Sequence, residues 1–186
     1  MTRTHHKIAA AFGLITSLSM AAAAAALLNA DNIVDVVRAS TAQYRDPSAA
    51  SDAGWQSAQS CVSGPQEGAM GVHFINGPLV GDGGLDATAP EALVYEPLRN
   101  GRMRLVAVEF IVPADLWNAN HATPPVLLGQ HFHLVNGPNR YGPGAFYELH
   151  VWAWQHNPSG MFADWNPTVT CDEYSTVEHV ESSHAH

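Results

Sequence analysis

The sequence predicts an α+β fold, in which one or two amino-terminal helices pack on a curved, mainly antiparallel β-sheet or partial barrel of about five to six strands. Helical periodicity is confined to the segment that follows position 30, and from Gly71 onward apolar residues alternate with a period of two. Within that second region, Asn100-Gly101 separates two alternating runs, which is the strongest short hairpin signal. An all-β sandwich is the alternative arrangement.

The helical region begins after Asp31, a residue type that caps helix starts. Ile33 and Val37 fall on one face of the first helix, and Pro47 is expected to end it. The alanine-rich segment 48–60, SAASDAGWQSAQS, predicts a short second helix. The two helices would supply the layer that covers one side of the sheet.

Residues 1–30 have the three-part layout of a secretory signal peptide. The basic residues Arg3 and Lys7 precede an apolar run over 8–20, and a tract of alanines follows over 21–26. The apolar run is too short for a membrane anchor. We therefore predict a protein that is secreted, periplasmic or bound at the cell surface, with no membrane insertion after the signal is cleaved.

The rest of the chain predicts a single globular domain over 31–175 and a disordered, acidic, histidine-containing tail over 176–186. Loss of Arg3 and Lys7 with the signal peptide would change the formal charge from −9 to −11. A surface of that sign repels nucleic acid, so we predict a metal ion or a small molecule as the partner. The oligomeric state is not predicted.

Cys61 and Cys171 are the two cysteines of the chain. Export places them in an oxidising compartment, and two cysteines allow one intramolecular pairing. The sequence therefore predicts a disulfide between them, with two free thiols or an intermolecular bond as the alternatives.

The segment 129–154, GQHFHLVNGPNRYGPGAFYELHVWAW, predicts a second hairpin, with strands over about 126–135 and 145–155. Its loop is framed by Gly137-Pro138 on one side and Pro143-Gly144 on the other. Pairing about the midpoint of that loop places two residue pairs opposite each other, namely His131 with His150, and His133 with Glu148.

The two faces of this hairpin differ in chemistry, because side chains alternate across a strand. One face is apolar and is expected to pack on the amino-terminal helix; it carries Leu128, Phe132, Leu134, Tyr147, Leu149 and Val151. The other face is expected to carry His131, His133, Glu148, His150, Trp152 and Trp154.

Three histidines beside a carboxylate match the ligand sets of open mononuclear metal sites. We predict His131, His133 and His150 as ligands, and Glu148 as a fourth ligand or general base. His73 is the reserve ligand, because HFINGP at 73–78 echoes HLVNGP at 133–138. The predicted cofactor is a divalent ion of zinc, iron, manganese or copper, and whether the protein is an enzyme stays open.

Other interpretations of the same residues remain. In the first, the histidines are surface imidazoles that Trp152 and Trp154 partly cover. Glu148 is then only a hydrogen-bond partner of His133. Glu109 is expected to face solvent on a half-buried strand. In a second hypothesis, Trp152, Trp154 and Trp165 form a platform for a glycan or a small aromatic ligand. In a third, the protein is a non-catalytic structural exported domain.

Three families share parts of this pattern. Cupins place an H-x-H pair on a barrel strand, as His131 and His133 do, but their motif has a glutamate where this chain has Gly137. Copper-zinc superoxide dismutases combine export, an H-x-H strand and one disulfide, but require further ligands downstream. The closing YELHVWAWQHNPSGMFADWNPTVTC resembles exported bacterial proteins of uncharacterised function, a likeness that implies export and no activity.

Overall fold

The computed structural model describes residues 32–64 and 66–174. The predicted signal peptide and tail lie outside these residues. The helices are α1 over 32–41, α2 (Pro47–Asp52), α3 (Gly77–Asp82) and α4 (Ala114–Asn118), with 3₁₀ turns at Ala42–Arg45 and Arg99–Gly101. The strands are β1 (Gln56–Ser63), β2 (Ala69–Ile75), β3 (Ala92–Pro97), β4 (Met103–Pro113), β5 (Val126–Leu127), β6 (Gln130–His131), β7 (His133–Val135) and β8 (Phe146–Val151).

Six of the strands form one open antiparallel sheet in the order β1-β2-β3-β4-β8-β7, while β5 and β6 pair as a separate ribbon. The predicted α+β class is therefore confirmed. In the part of the chain that the structure describes, no helix has the length and apolar character needed to cross a bilayer.

The main core lies between α1 and one face of the sheet. Ile33 and Val37 of α1 are fully buried there. They share a cluster with sheet residues that include Val72, Phe74, Leu93, Tyr95, Val108, Phe110, Tyr147, Leu149 and Val151. Burial of this apolar surface is the main stabilising contribution, at about 25 cal/mol per Å². Of the predicted apolar hairpin face, Phe132, Tyr147, Leu149 and Val151 join this core, whereas Leu128 and Leu134 are exposed, so the prediction was wrong for these two leucines.

The predicted second helix is shorter than expected. Asp46 caps it, Pro47 occupies its first turn, and it ends at Asp52. Gly54 then adopts a φ of 105°, and residues 56–63 form edge strand β1, which pairs with β2. The prediction over 48–60 was wrong in its second half because strand pairing outweighed the local helix propensity.

The hairpin predicted at Asn100-Gly101 joins β3 to β4, and both turn residues have positive φ, 63° and 69°. β3 is central in the sheet, and Pro97 stands at its last position. A bulge in β4 places Val106 and Ala107 together on the second face of the sheet.

Irregular chain covers that second face. The loop over 136–145 lies on one part of it, and the segment after β8 lies on another, where buried Trp152 packs against Val94 and Val106. Cys61 of edge strand β1 and Cys171 of the covering segment form the predicted disulfide. Several polar side chains on the second face, among them His73, Glu109 and His150, are therefore enclosed.

Candidate functional site

Three neighbouring parts of the second face each contribute one buried polar side chain. His73 lies on β2, Glu109 on β4 and His150 on β8, and these side chains are at most 2% exposed. Glu109 stands directly opposite His150 in the β4–β8 pairing. Their parity along each strand turns them away from the α1 core. We call these three residues the buried cluster.

The carboxylate of Glu109 is the centre of the buried cluster. Its Oε2 atom lies 3.1 Å from Nε2 of His73 and 4.0 Å from Nε2 of His150. One ligand-type atom from each of the three residues lies within 4.8 Å of the others. The two imidazole rings stand edge to face with centroids 6.0 Å apart. Two nitrogens therefore converge on one carboxylate oxygen.

Three of the imidazole nitrogens in the buried cluster lack hydrogen-bond partners. Nε2 of His73 and both ring nitrogens of His150 are buried and unbonded, and the 3.1 Å approach of His73 to Glu109 lacks the alignment of a hydrogen bond. Buried polar groups in folded proteins are nearly always paired, and an unpaired one costs about 1–3 kcal/mol. Such nitrogens, grouped around one carboxylate, are the expected signature of metal ligands.

Asp164 lies on the other side of His150. Its Oδ1 is 3.7 Å from Nδ1 of His150, while Nε2 of the same ring faces Glu109. A carboxylate beside one ring nitrogen favours the proton there and leaves the lone pair on the other nitrogen. Asp164 is the nearer of the two carboxylates to the His150 ring, so it is a candidate positioning residue for the tautomer that presents Nε2 as a ligand.

The charge states of His150 and Glu109 also suit a metal. Burial lowers the pKa of His150 to about 3, so its imidazole is neutral near pH 7. Burial alone would raise the pKa of Glu109, but His73 and the Arg140 guanidinium outweigh that effect and hold it well below its usual range. Neutral imidazole and ionised carboxylate are the forms that coordinate metals.

The loop over 136–145 closes the site from above. Arg140 donates from Nη2 to Oε1 of Glu109 at 2.5 Å and also to Oε2 of Glu148. Tyr141 donates its hydroxyl to Oε2 of Glu109 at 2.8 Å. The two loop residues therefore contact both oxygens of Glu109, and Arg140 offsets the charges of two buried carboxylates.

The loop is shaped by the dipeptides that frame it. A Cβ atom on Gly137 would stand 1.9 Å from the carbonyl oxygen of Pro143, so the two ends of the loop meet where only glycine fits. Asn139 adds a hydrogen bond to the carbonyl of Gly144. These contacts hold Arg140 and Tyr141 over the cluster.

A second group of metal-type residues lies farther out on the same face, and we call it the outer cluster. His133, 48% exposed, bonds through Nε2 to Oε1 of Glu148 at 2.9 Å and lies 3.5 Å from Asp164. The hydrogen bond to Glu148 raises the pKa of His133 above its usual value. Burial raises the pKa of Asp164. In contrast to the buried cluster, the nitrogen here that faces the carboxylates is already bonded.

The structure brings some predicted ligands together and separates others. The pairing of His133 with Glu148 is observed as predicted. His150 and the reserve residue His73 join the buried cluster, whereas His133 and Glu148 belong to the outer cluster. His131 joins neither cluster, so its predicted place opposite His150 was wrong.

The displacement of His131 has a local cause. Leu128 and Gly129 have positive φ, 46° and 80°, and turn the chain so that His131 pairs with Val126 in the β5–β6 ribbon. The amide of Phe132 bonds to the carbonyl of Pro125, and pairing with β8 begins only at His133. The long strand predicted over 126–135 is therefore broken, and His131 is exposed.

Glu109 is the site residue that sequence reasoning assigned to solvent. The expectation failed because β4 is central and both of its faces are covered. The signal was present: the run VAVEFIV holds one glutamate among six apolar residues. A lone carboxylate in a strand that is apolar on both faces indicates a buried, paired charge.

The predicted tryptophan platform is not assembled. Trp152 is buried and donates its indole N–H to the carbonyl of Ala163. Trp154 packs against the main core and donates to Thr41 of α1, so it lies toward the helical layer. Trp165 is partly buried near the carboxy-terminal segment. The three indoles therefore present no common exposed surface.

Chemically, the buried cluster offers two nitrogens and one oxygen to a metal ion, with Tyr141 beside them. Three protein ligands leave coordination positions for water or for a substrate oxygen, which a metal polarises. The chain matches no known family model, no curated protein and no solved structure, so the resemblance to exported bacterial proteins stays a prediction.

Proposed function

We propose that this protein binds one divalent transition-metal ion through Nε2 of His73, Nε2 of His150 and the carboxylate of Glu109. The observation that carries the proposal is the set of buried imidazole nitrogens without hydrogen-bond partners around one ionised carboxylate. Two histidines and one carboxylate form a ligand set found with zinc and non-haem iron, and manganese or copper also accept these donors.

The distances support a site that needs little rearrangement. Ligands at about 2.0–2.2 Å from a metal stand about 3.0–3.6 Å from each other. Oε2 of Glu109 lies 3.1 Å and 4.0 Å from the two histidine nitrogens. Side-chain shifts of less than about 1 Å would give coordination geometry. Asp164 beside Nδ1 of His150 adds the outer carboxylate that metal-bound histidines usually have.

Export of the protein belongs to the same proposal. The disulfide between Cys61 and Cys171 is typical of proteins that leave the cytoplasm. An exported protein meets metal ions outside the cell, and the acidic composition of the chain favours cations over anions.

The alternative function is structural. Arg140 bonds both Glu109 and Glu148, and this network alone would fix the 136–145 loop on the sheet without any metal. In that case His73 and His150 would serve only as packing partners of the buried carboxylates. The two functions differ in one measurable property, which is stoichiometric metal binding that depends on His73 and His150.

The test is elemental analysis of the full chain, produced without a histidine tag in a host that exports it. We expect about one equivalent of metal in the wild type. His150→Gln and Glu109→Gln should lose it, while His131→Ala should retain it because His131 is exposed and outside both clusters. Circular dichroism checks that the variants fold.

The tail provides a second control, since His179, His184 and His186 are potential adventitious ligands. A chain with all three changed to serine should keep its metal. Metal that disappears with the tail histidines and survives both His150→Gln and His73→Gln would overturn the proposal and favour the structural function.

A further inference from the structure

A cavity of about 430 Å³ lies on the second face of the sheet beside the buried cluster. Its floor includes Ile75 of β2, Ile111 of β4 and Phe146 of β8, and α3 forms one side. Its volume and its apolar floor match those of pockets for small molecules. None of the residues that line the cavity is a proposed metal ligand. One of them, Tyr141, donates its hydroxyl to the proposed ligand Glu109.

The cavity continues the metal site along the sheet. On β2, Ile75 lies two residues beyond His73, and on β4, Ile111 lies two residues beyond Glu109. Residues two apart share a face and are separated by about 6.6–6.8 Å along a strand. On β8, Phe146 shares its face with His150. The same three strands therefore carry both the proposed ligands and the cavity floor, and on β8 Glu148 lies between His150 and Phe146.

Three glycines keep the cavity open. Gly77 and Gly81 of α3 and Gly144 of the loop line it, and a Cβ atom on any of them would meet no heavy atom within 4 Å. None of the three has a positive φ, so the backbone does not demand glycine there. Glycine inside a helix costs about 1 kcal/mol relative to alanine. Gly81 thus lowers helix stability at an exposed position on the cavity wall, where a side chain has open space beside it.

The lining chemistry indicates what fits. Tyr141 and Phe146 form an aromatic corner with ring centroids 5.1 Å apart at 53°. The Arg140 guanidinium, whose charge is offset by Glu109 and Glu148, lies 4.6 Å and 5.3 Å from these ring centroids, so a ligand ring would contact the ring surfaces that Arg140 leaves free. Among the described residues that line the cavity, Asp115 is the one charged group, and it lies exposed at the start of α4. The net charge of the chain, −9, adds to the negative potential.

We propose that this cavity is the ligand pocket of the site and binds a small compound with one aromatic ring and a protonated amine. The ring lies between the isoleucine floor and the aromatic corner, and the ammonium group lies near Asp115. The ligand contacts Tyr141, whose hydroxyl bonds to Glu109. Its role as the ligand of a metal site rests on the proposed function, whereas binding itself is measured without metal.

The experiment is calorimetric titration of the full chain with 2-phenylethylamine, 2-phenylethanol and 3-phenylpropionate. We expect the amine to bind about two- to fivefold more tightly than the alcohol, the range for an exposed ion pair, and the carboxylate to bind most weakly. Asp115→Asn should remove the preference for the amine and leave binding of the alcohol unchanged.

Gly81→Leu should abolish binding of all three compounds because its side chain fills the cavity, and Val80→Phe should do the same from the next position of α3. Gln43→Leu is the matched control, since it adds a leucine at an exposed position outside the cavity lining. Circular dichroism and thermal melting verify the fold of each variant.

Absence of amine binding in the wild type, or unchanged binding in a folded Gly81→Leu or Val80→Phe, would overturn the pocket. Equal binding of amine and carboxylate would overturn the ligand class. Metal content is a separate readout, because Gly81→Leu leaves His73, Glu109 and His150 intact. Failure of the pocket and failure of the metal site are therefore distinguished.

Discussion

The buried and outer clusters contain similar residues, yet their surroundings differ. Both bring histidine nitrogens and carboxylate oxygens within 4.8 Å. In the outer cluster, His133 is half exposed and bonds to Glu148, so the facing nitrogen has a partner. In the buried cluster, the nitrogens of His150 are enclosed and unbonded. Residue type alone does not mark a metal site, and unmet bonding capacity in an enclosed position is more specific.

The largest effect is expected from Arg140→Leu, which removes the cation that lies between the two clusters. Glu109 and Glu148 would remain buried without it, and loss of one partner of a buried ion pair costs about 3–5 kcal/mol. Urea denaturation measures the free energy of unfolding. Arg99→Leu is the control, because Arg99 pairs with Glu173 on the surface and its removal should change stability far less.

Repeating the measurement with a divalent ion present tests where the ion binds. Because it supplies positive charge to Glu109, it should raise the free energy of unfolding of Arg140→Leu by more than it raises that of the wild type. Equal stabilisation of the two proteins would contradict a metal position at Glu109.

The next effect separates the clusters directly. His150→Gln removes a proposed ligand and should weaken metal binding by more than about 100-fold, whereas His133→Gln in the outer cluster should weaken it by less than about tenfold. Competition with a chelator of known affinity measures both constants. Similar losses in the two variants would mean that the clusters act as one site.

Asp164 contacts both clusters, so Asp164→Asn tests which contact matters. If it positions His150, its loss should weaken metal binding by about 10–100-fold and leave the stoichiometry at one. The spectrum of the cobalt-substituted protein should also change, since the orientation of the His150 ring would differ. An unchanged affinity and spectrum would restrict Asp164 to its contact with His133.

The last prediction concerns Glu91, a buried carboxylate outside both clusters that extends the comparison. His73 and Arg140 lower the pKa of Glu109, whereas burial raises the pKa of Glu91 to about 8. The neutral form of Glu91 is therefore favoured in the folded state. Its contribution to stability is complete below its unfolded pKa of 4.5 and is lost as the pH rises toward about 8.

Glu91→Gln provides the measurement. The wild type should lose up to about 1.4 kcal/mol of unfolding free energy per pH unit between pH 6 and 8, relative to the variant. Glutamine retains an oxygen for the amide of Ile111. Parallel pH profiles of the two proteins would show that Glu91 ionises normally.

The sequence predicted the parts of the fold that depend on local rules. Asn100-Gly101 located one hairpin, and the symmetric framing by Gly137-Pro138 and Pro143-Gly144 gave the pairing of His133 with Glu148. The parity of residues along β8 followed from that register. The residues of β8 that pack in the α1 core, namely Tyr147, Leu149 and Val151, were predicted for the same reason.

The site itself depended on features that the sequence does not specify locally. The order of the strands places His73 and Glu109 beside His150, and no short spacing encodes that order. The positive φ of Leu128, unusual for a branched side chain, removed His131 from the sheet. The similarity of the sequences at 73–78 and 133–138 predicted that His73 and His133 act together, but the structure places them in different clusters.

The residues of the buried cluster are spread along the chain, at positions 73, 109 and 150, on strands that meet only in the complete sheet. An excised peptide covering 129–154 retains three histidines and Glu148 but lacks His73 and Glu109. Binding of an ion at the proposed site would consequently be coupled to folding by mass action, and the melting temperature would rise with the concentration of free ion. The intact protein would thus report the ion content of its surroundings through its own resistance to heat.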